Sequence, residues 1–274
     1  MTDSGPVFIK RNRKEKARLM FDGEYASLEA LYATKTIRVP KPVAAFDDGQ
    51  GGAMFASEYI EMSGLSRYAA ELGTQLARLH LYNSELLKAS QQRASWFKES
   101  SLKPVTKFGF HVPTCCGYIP QNNEWNDNWV DFYTKNKLKQ QVDLVLNSKN
   151  DQELAELWSQ LEPKIPSFFE NCGEIVPALV HGDLWSGNVA ETDEGPVIFD
   201  PASFYGHAEF EFGIATMFGG FPNSFFKAYH EVIPKVQGFE KRLELYQLFH
   251  YLNHWNHFGG GYRSSALSIM KRLV

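Results

Sequence analysis

The first apolar run of the chain, Val7-Phe8-Ile9, ends on Lys10 and reads as a short strand. Over residues 13–33 the rhythm changes. Ala17, Phe21, Leu28 and Leu31 recur at intervals compatible with 3.6 residues per turn, which predicts a helix whose buried stripe is interrupted by one carboxylate, Glu24. Pro40 and Pro42 break that pattern, and residues 43–46 and 53–60 predict two strands joined by Asp47-Asp48-Gly49-Gln50-Gly51-Gly52. Beyond Ser63-Gly64 the spacing of Tyr68, Leu72, Leu76 and Leu79 is helical; residues 88–128, rich in Ser, Lys, Asn, Pro and Gly, predict loops, and 151–161 and 239–258 carry strong helical patterns. No internal repeat or long low-complexity tract is present. The prediction is an α+β chain in two lobes: residues 1–63 as a small sheet with one helix, and 64–274 as a mainly helical lobe.

Composition narrows the class without changing this picture. With 274 residues, 43% hydrophobic and 22% charged, the chain can bury a sizeable core. The balance of 28 Lys plus Arg against 32 Asp plus Glu offers no global attraction to nucleic acid or to an anionic membrane, so a small partner is expected. A monomer is expected as well. Cys115, Cys116 and Cys172 make neither a disulfide framework nor a spaced zinc set, which fits a reducing compartment. The apolar stretch 212–226 is short and broken by Gly219, Gly220 and Pro222, so no membrane span is expected. No leader pattern precedes the first strand, and Glu15, Asp22 and Glu24 argue against a transit peptide; a cytoplasmic location is expected.

Candidate chemistry is concentrated in residues 178–201, Ala-Leu-Val-His-Gly-Asp-Leu-Trp-Ser-Gly-Asn-Val-Ala-Glu-Thr-Asp-Glu-Gly-Pro-Val-Ile-Phe-Asp-Pro. Two apolar segments flank Asp193-Glu194-Gly195, which predicts a hairpin; centred on Glu194, it sets Asn188 opposite Asp200. Two oxygen ligands in that relation suit a hard divalent cation that keeps waters and substrate phosphates, and Asp183 stands close enough to orient an attacking hydroxyl and take its proton. Singly, Asp183 and Asn188 are better read as Asx-turn residues, common work for Asp and Asn in loops. Jointly, His-Gly-Asp-x-x-x-x-Asn followed by a hairpin ending in Asp matches the catalytic loop and metal-binding Asp of kinases, with Gly182 in place of Arg. Kinases also pair a strand lysine with a helix glutamate, which makes Lys10 and Glu24 candidate partners rather than solvated charges.

Gly-Pro-Val-Phe-Ile-Lys, the segment through His181 to Ala190, Val-Ile-Phe-Asp-Pro-Ala-Ser-Phe-Tyr-Gly-His and Gln-Leu-Phe-His-Tyr-Leu-Asn-His-Trp-Asn-His-Phe-Gly closely resemble the fructosamine kinase family over nearly the whole chain. The resemblance implies a bilobal protein-kinase-like fold. It also implies Mg2+- and ATP-dependent phosphorylation of the 3-hydroxyl of ketosamines, either small or borne by glycated proteins, which destabilises the adduct and deglycates the amine. In that scheme Asp183 is the base, Asn188 and Asp200 hold Mg2+, Lys10 meets the nucleotide phosphates and is oriented by Glu24, and Glu58, Tyr59 and Ile60 form the hinge that meets adenine. Family members carry a glycine-rich segment and a further strand ahead of Val-Phe-Ile-Lys, whereas nine residues with one glycine, Gly5, precede Lys10 here. The expectation is an amino-terminally truncated nucleotide lobe, with weak ATP binding and little turnover.

Two other readings belong to different classes: a catalytically silent binding or regulatory protein, and a small-molecule kinase of the aminoglycoside or choline type. Around the catalytic segment, Trp185, His207 and Glu209 are candidate substrate contacts, and Glu211 is a candidate prop for the catalytic loop. His250, His254 and His257 have zinc-compatible helical spacing, but their apolar neighbours favour packed or hydrogen-bonded histidines. The clusters at 49–52 and 259–261 read as turn and helix-stop glycines. Pro201 biases Asp200 toward an extended backbone, and the short distance to Glu209 leaves no room for a regulatory activation loop.

Overall fold

The computed structural model describes residues 5–93 and 103–274. Strands β1 (Val7–Asn12), β2 (Pro42–Asp47) and β3 (Ala53–Glu58) form an antiparallel sheet in the order β1-β3-β2. The turn between β2 and β3 is tied by Asp48, which accepts the backbone N–H of Gln50 and Gly52 and pairs with Arg11 of β1. Helix α1 (Ala17–Thr34) packs on this sheet through Ala17, Phe21, Leu28 and Leu31, all buried, with Phe21 stacked on Phe55. Against its other side runs the backbone of Pro113-Thr114, so close that a Cβ on Gly23 would lie 2.6 Å from the Pro113 carbonyl oxygen.

After Ser63 the chain is mainly helical. Helix α2 (Ala69–Arg93) runs through residues 88–93, which the sequence reading had placed among loops; 94–102, from the same stretch, lie outside the described residues. Short strands β4 (Cys115–Cys116) and β5 (Ile119–Pro120) pair across Gly117-Tyr118. A continuous helical stretch follows: α3 (Trp129–Asp131), a π-helical segment Phe132–Lys139, and α4 (Gln140–Lys149). Then come α5 (Gln152–Leu161), β6 (Ala178–Val180), β7 (Val189–Glu191), β8 (Pro196–Ile198) and β9 (Phe204–Gly206). Helices α6 (Glu211–Ala215), α7 (Asn223–Val232), α8 (Phe239–Phe258) and α9 (Arg263–Leu273) complete the chain. Helix α8 is buried on most of its circumference, as a helix apolar on several faces must be. No helix among the described residues is long and apolar enough to cross a membrane.

Two joints fix the small sheet relative to the helices. Glu191, at the end of β7, receives the backbone N–H of Ser66, Arg67 and Tyr68, and its own backbone exchanges both hydrogen bonds with Ser63. Ser27 of α1 accepts the N–H of Ser203, three residues beyond Asp200. The segment between the lobes is therefore anchored at the same hairpin that carries the candidate chemistry.

Candidate active site

The catalytic segment is shaped by backbone contacts that only particular residues permit. Gly182 has φ +84°, and a Cβ there would lie 2.3 Å from the Ala202 carbonyl oxygen, so the loop closes against the strand after Asp200 only with glycine at this position. The buried Glu211 carboxylate accepts the N–H groups of His181 (2.6 Å) and Gly182 (2.9 Å) and lies 3.5 Å from His80 Nε2. Burial alone would raise its pKa, but His80, His181 and the backbone donors hold it below the ordinary value. Glu211 thus props the loop, and His181 closes it by contacting the Phe199 carbonyl.

Asn188 stands at the end of a 3-10 turn, buried, with its side-chain N–H donating to the Asp183 carbonyl (2.8 Å), Asp183 Oδ2 (3.3 Å) and the Asp200 carbonyl (3.5 Å). The hairpin register differs from the expected one. Val189 pairs with Ile198 and Ala190 with Val197, so Asn188 faces Phe199, whose N–H it receives, and Asp200 lies one residue beyond. The cause is a four-residue connection closed by Thr192 and Gly195 rather than a turn centred on Glu194. A one-residue slip ordinarily sends a side chain to the other face. Here Asp200 leaves the strand with φ +57°, left-handed instead of the extended backbone expected before Pro201, and its Oδ1 lies 2.5 Å from Lys10 Nζ.

Lys10 sits opposite Phe55 on β3 and also reaches Glu24 Oε1 at 2.7 Å. Burial works against its charge, yet the carboxylates of Glu24 and Asp200 outweigh that and raise its pKa. Glu24 is the interruption in the apolar stripe of α1; burial raises its pKa even beside Lys10. A cavity of about 220 Å³ opens between the sheet and the hairpin, lined by Lys10, Glu24, Phe55, Asp200 and the segment Glu58, Tyr59 and Ile60.

A second cavity, of about 370 Å³, is lined by a separate set of residues. Asp183 and Trp185 line it together with Cys116, Phe218, His254 and His257. Asp183 is pushed up to about 7 by loss of solvent and then by the nearby carboxylates of Glu211 and Asp200, against the opposing hydrogen bond from Asn188. Trp185, 38% exposed, stands edge-on to Phe218, and its indole occupies the space a Cβ on Gly187 would need.

His207 and Glu209 are not on this wall, which corrects their reading as substrate contacts. His207 bonds the Tyr246 hydroxyl at 2.7 Å inside an aromatic cluster and, desolvated beside Arg242, falls to about 3. Glu209 makes a two-pronged pair with the fully buried Arg242, at 2.7 and 2.9 Å. On α8 His254 hydrogen-bonds the His250 carbonyl and His257 the Asn253 carbonyl, whereas the His250 ring is buried against Phe210 and Phe249 with no hydrogen-bond partner among the described residues, and no group of three or more metal-binding His, Cys, Asp or Glu exists among them. His254 and His257 nevertheless form part of the cavity wall. Their apolar surroundings on α8 masked that role in the sequence.

The sequence model named fructosamine kinase matches residues 1–274. The chain belongs to the fructosamine kinase family. It is 55% identical to mouse ketosamine-3-kinase over 99% of its own length and 89% of that protein, and 42% identical to the chloroplastic protein-ribulosamine 3-kinase of Arabidopsis thaliana over 98% and 76%. Among solved structures, a Thermobifida fusca protein provisionally named fructosamine-3-kinase superposes with a TM-score of 0.79 at 25% identity, covering 98% of this chain and 85% of that one. As a fructosamine kinase family member, the chain has the bilobal protein-kinase-like α+β fold, with Asp200 in the wall of one cavity and Asp183 in the wall of the other.

The donors near the loop also fit the divalent cation that such a fold implies. The Asn188 amide spends its N–H on Asp183 and Asp200, leaving its oxygen as an available ligand, and the Asp200 carboxylate, 45% exposed, meets Lys10 through one oxygen. One amide and one carboxylate oxygen make a partial, hard-ligand set that suits Mg2+ sharing waters and phosphates.

Proposed function

We propose that this chain is a Mg2+- and ATP-dependent ketosamine kinase that phosphorylates the 3-hydroxyl of ribulosamine, psicosamine or fructosamine adducts. The observation that carries the reading is the position of Asp183. Its carboxylate borders the aromatic cavity while Asn188 ties it to Asp200 and so to Lys10 on the nucleotide side. The 55% identity to a protein named ketosamine-3-kinase supplies the substrate class.

In this reading Asp183 accepts the proton of the sugar hydroxyl as its oxygen bonds the γ-phosphorus; the bond to the β-phosphate oxygen breaks and ADP leaves. A carboxylate poised near neutrality is suited to take that proton. Lys10, held by Glu24, meets the phosphates, and Glu58, Tyr59 and Ile60 border the adenine. Asn188 and Asp200 would hold Mg2+, which when bound offsets charge on the phosphates. Trp185 offers an aromatic face to the sugar. Phosphorylation at the 3-position then favours loss of the sugar from the amine.

The test is ADP release with Mg2+ and ATP on a panel of free ribulosamine, fructosamine, an aminoglycoside and choline. Turnover of a ketosamine, absent in Asp183→Asn, is the expected result. Turnover of the aminoglycoside or choline without the ketosamines would overturn the substrate class.

A further inference from the structure

A depression of about 480 Å³ lies on the far side of the Gly117-Tyr118 turn from the Asp183 cavity. Its floor is apolar, formed by Tyr118 (49% exposed), Ile119, Pro120 and Leu144 (37% exposed). Its rim carries Lys14 and Lys16 from the segment between β1 and α1, with Glu15 as the carboxylate among the lining residues. The Lys14 ammonium stands 5.6 Å from the centre of the Tyr118 ring. Among the described residues neither lysine has an ion-pair partner. Nearby cations do: Arg11 is matched by Asp48, Arg18 by Asp22, and Lys139 by Asp143. The depression therefore joins an exposed apolar floor to positive charge that the chain does not neutralise.

The two depressions meet at a single rigid ridge. Cys116 and Gly117 line the Asp183 cavity and Tyr118 lines the groove; on α8, His257 lines the first and Asn256 the second. The ridge is clamped by the Tyr118 N–H donating to His257 Nε2 at 3.0 Å. Gly117, with φ +68°, leaves no room for a Cβ against the His257 ring. A ketosamine on a protein sits at the end of a lysine side chain. When its sugar occupies the Asp183 cavity, the polypeptide must lie outside, and at roughly 3.3–3.6 Å per extended residue a few flanking residues cover a depression of this size.

We propose that this groove receives the polypeptide flanking a protein-bound ketosamine and selects flanks rich in Asp and Glu. Apolar parts of the flank rest on Tyr118, Ile119 and Leu144, and its carboxylates pair with Lys14 and Lys16. The inference rests on the ketosamine kinase reading and adds the chemical class of protein substrate to it. A free ketosamine is too short to reach the lysines, so they should matter only when a polypeptide is attached.

The experiment takes whichever ketosyl-lysine, ribulosyl, psicosyl or fructosyl, wild type turns over free, and compares three probes at low ionic strength: that free ketosyl-lysine, and two nonapeptides carrying it centrally, flanked by Asp and Glu or by Gln and Lys. Wild type and the double variant Lys14→Glu/Lys16→Glu, with matched melting temperatures, are assayed for kcat/KM. Wild type should favour the acidic peptide by about five- to tenfold, as two exposed charge contacts allow. The preference should shrink with added salt and reverse in the double variant, while the free ketosyl-lysine changes less than about twofold. Equal turnover of both peptides by wild type, or an equal loss on all three probes in the double variant, would overturn the groove while leaving the kinase reading in place. No turnover of any free ketosyl-lysine by wild type would remove the kinase reading and the groove with it.

Discussion

At Asp183, loss of solvent and two neighbouring carboxylates act in the same direction, and they bring an ordinary acid to about 7. The sign is definite: the protonated form cannot accept the substrate proton, so kcat/KM should fall about tenfold per pH unit below that value. A cation at Asn188 and Asp200 favours the charged form and should move the limb to lower pH, so its position should depend on the divalent ion. Asp183→Asn should cost about 100- to 10,000-fold in kcat. A profile flat from pH 5 upward, or a variant retaining a tenth of the activity, would contradict the role of base. The proximity of Asp183, Asn188 and Asp200 was legible from spacing, because a loop must space its polar groups to bring them together. Trp185 was legible as an aromatic next to the base. His207 and Glu209 were misread for a physical reason: nearness in sequence to the loop says nothing about Tyr246 and Arg242, which arrive from α8 and draw both side chains into packing.

At the scale of elements, periodicity carried the reading furthest where one face alone is buried. Helix α1 shows its stripe and its single interruption, so Glu24 could be singled out before its partner was seen. Helix α8 could be located but not oriented, since it is buried on several faces, and the cavity wall at His254 and His257 went unseen. No spacing singles out Lys137, yet the π-helical segment carries it inside, where it donates to Gln121 and Asn123. The β7–β8 register depends on a four-residue connection that a turn rule centred on Glu194 does not anticipate. The same hairpin supplies a stability test. Glu191, lowered from its ordinary value to about 2 chiefly by the Ser66 N–H and then, against desolvation, by the N–H groups of Tyr68 and Arg67 and the Ser66 hydroxyl, contributes stability that is present above about 4.5 and lost as pH falls toward 2. Glu191→Gln should lower the melting temperature at pH 7 and flatten its decline between pH 4.5 and 2. An unchanged acid limb in the variant would mean that the carboxylate does not anchor the start of α2.

Across the whole molecule, function follows from how the small sheet, the hairpin and the helices meet. The sheet supplies Lys10, α1 supplies Glu24, the hairpin region supplies Asn188 and Asp200, and the helices close the aromatic cavity around Asp183. Lys10 and Asp200 are 190 positions apart in sequence and in direct contact in the fold, a juxtaposition that no local pattern encodes. The central claim is the transfer of a phosphoryl group to one particular hydroxyl, and phosphorus–proton correlation NMR of the product formed from ATP, Mg2+ and a ribulosamine tests it most directly. The expected spectrum couples phosphorus to the proton on sugar carbon 3, with the signal absent when Asp183→Asn replaces the wild type. Coupling to a different sugar carbon, or the same product at the same rate from Asp183→Asn, would contradict the account.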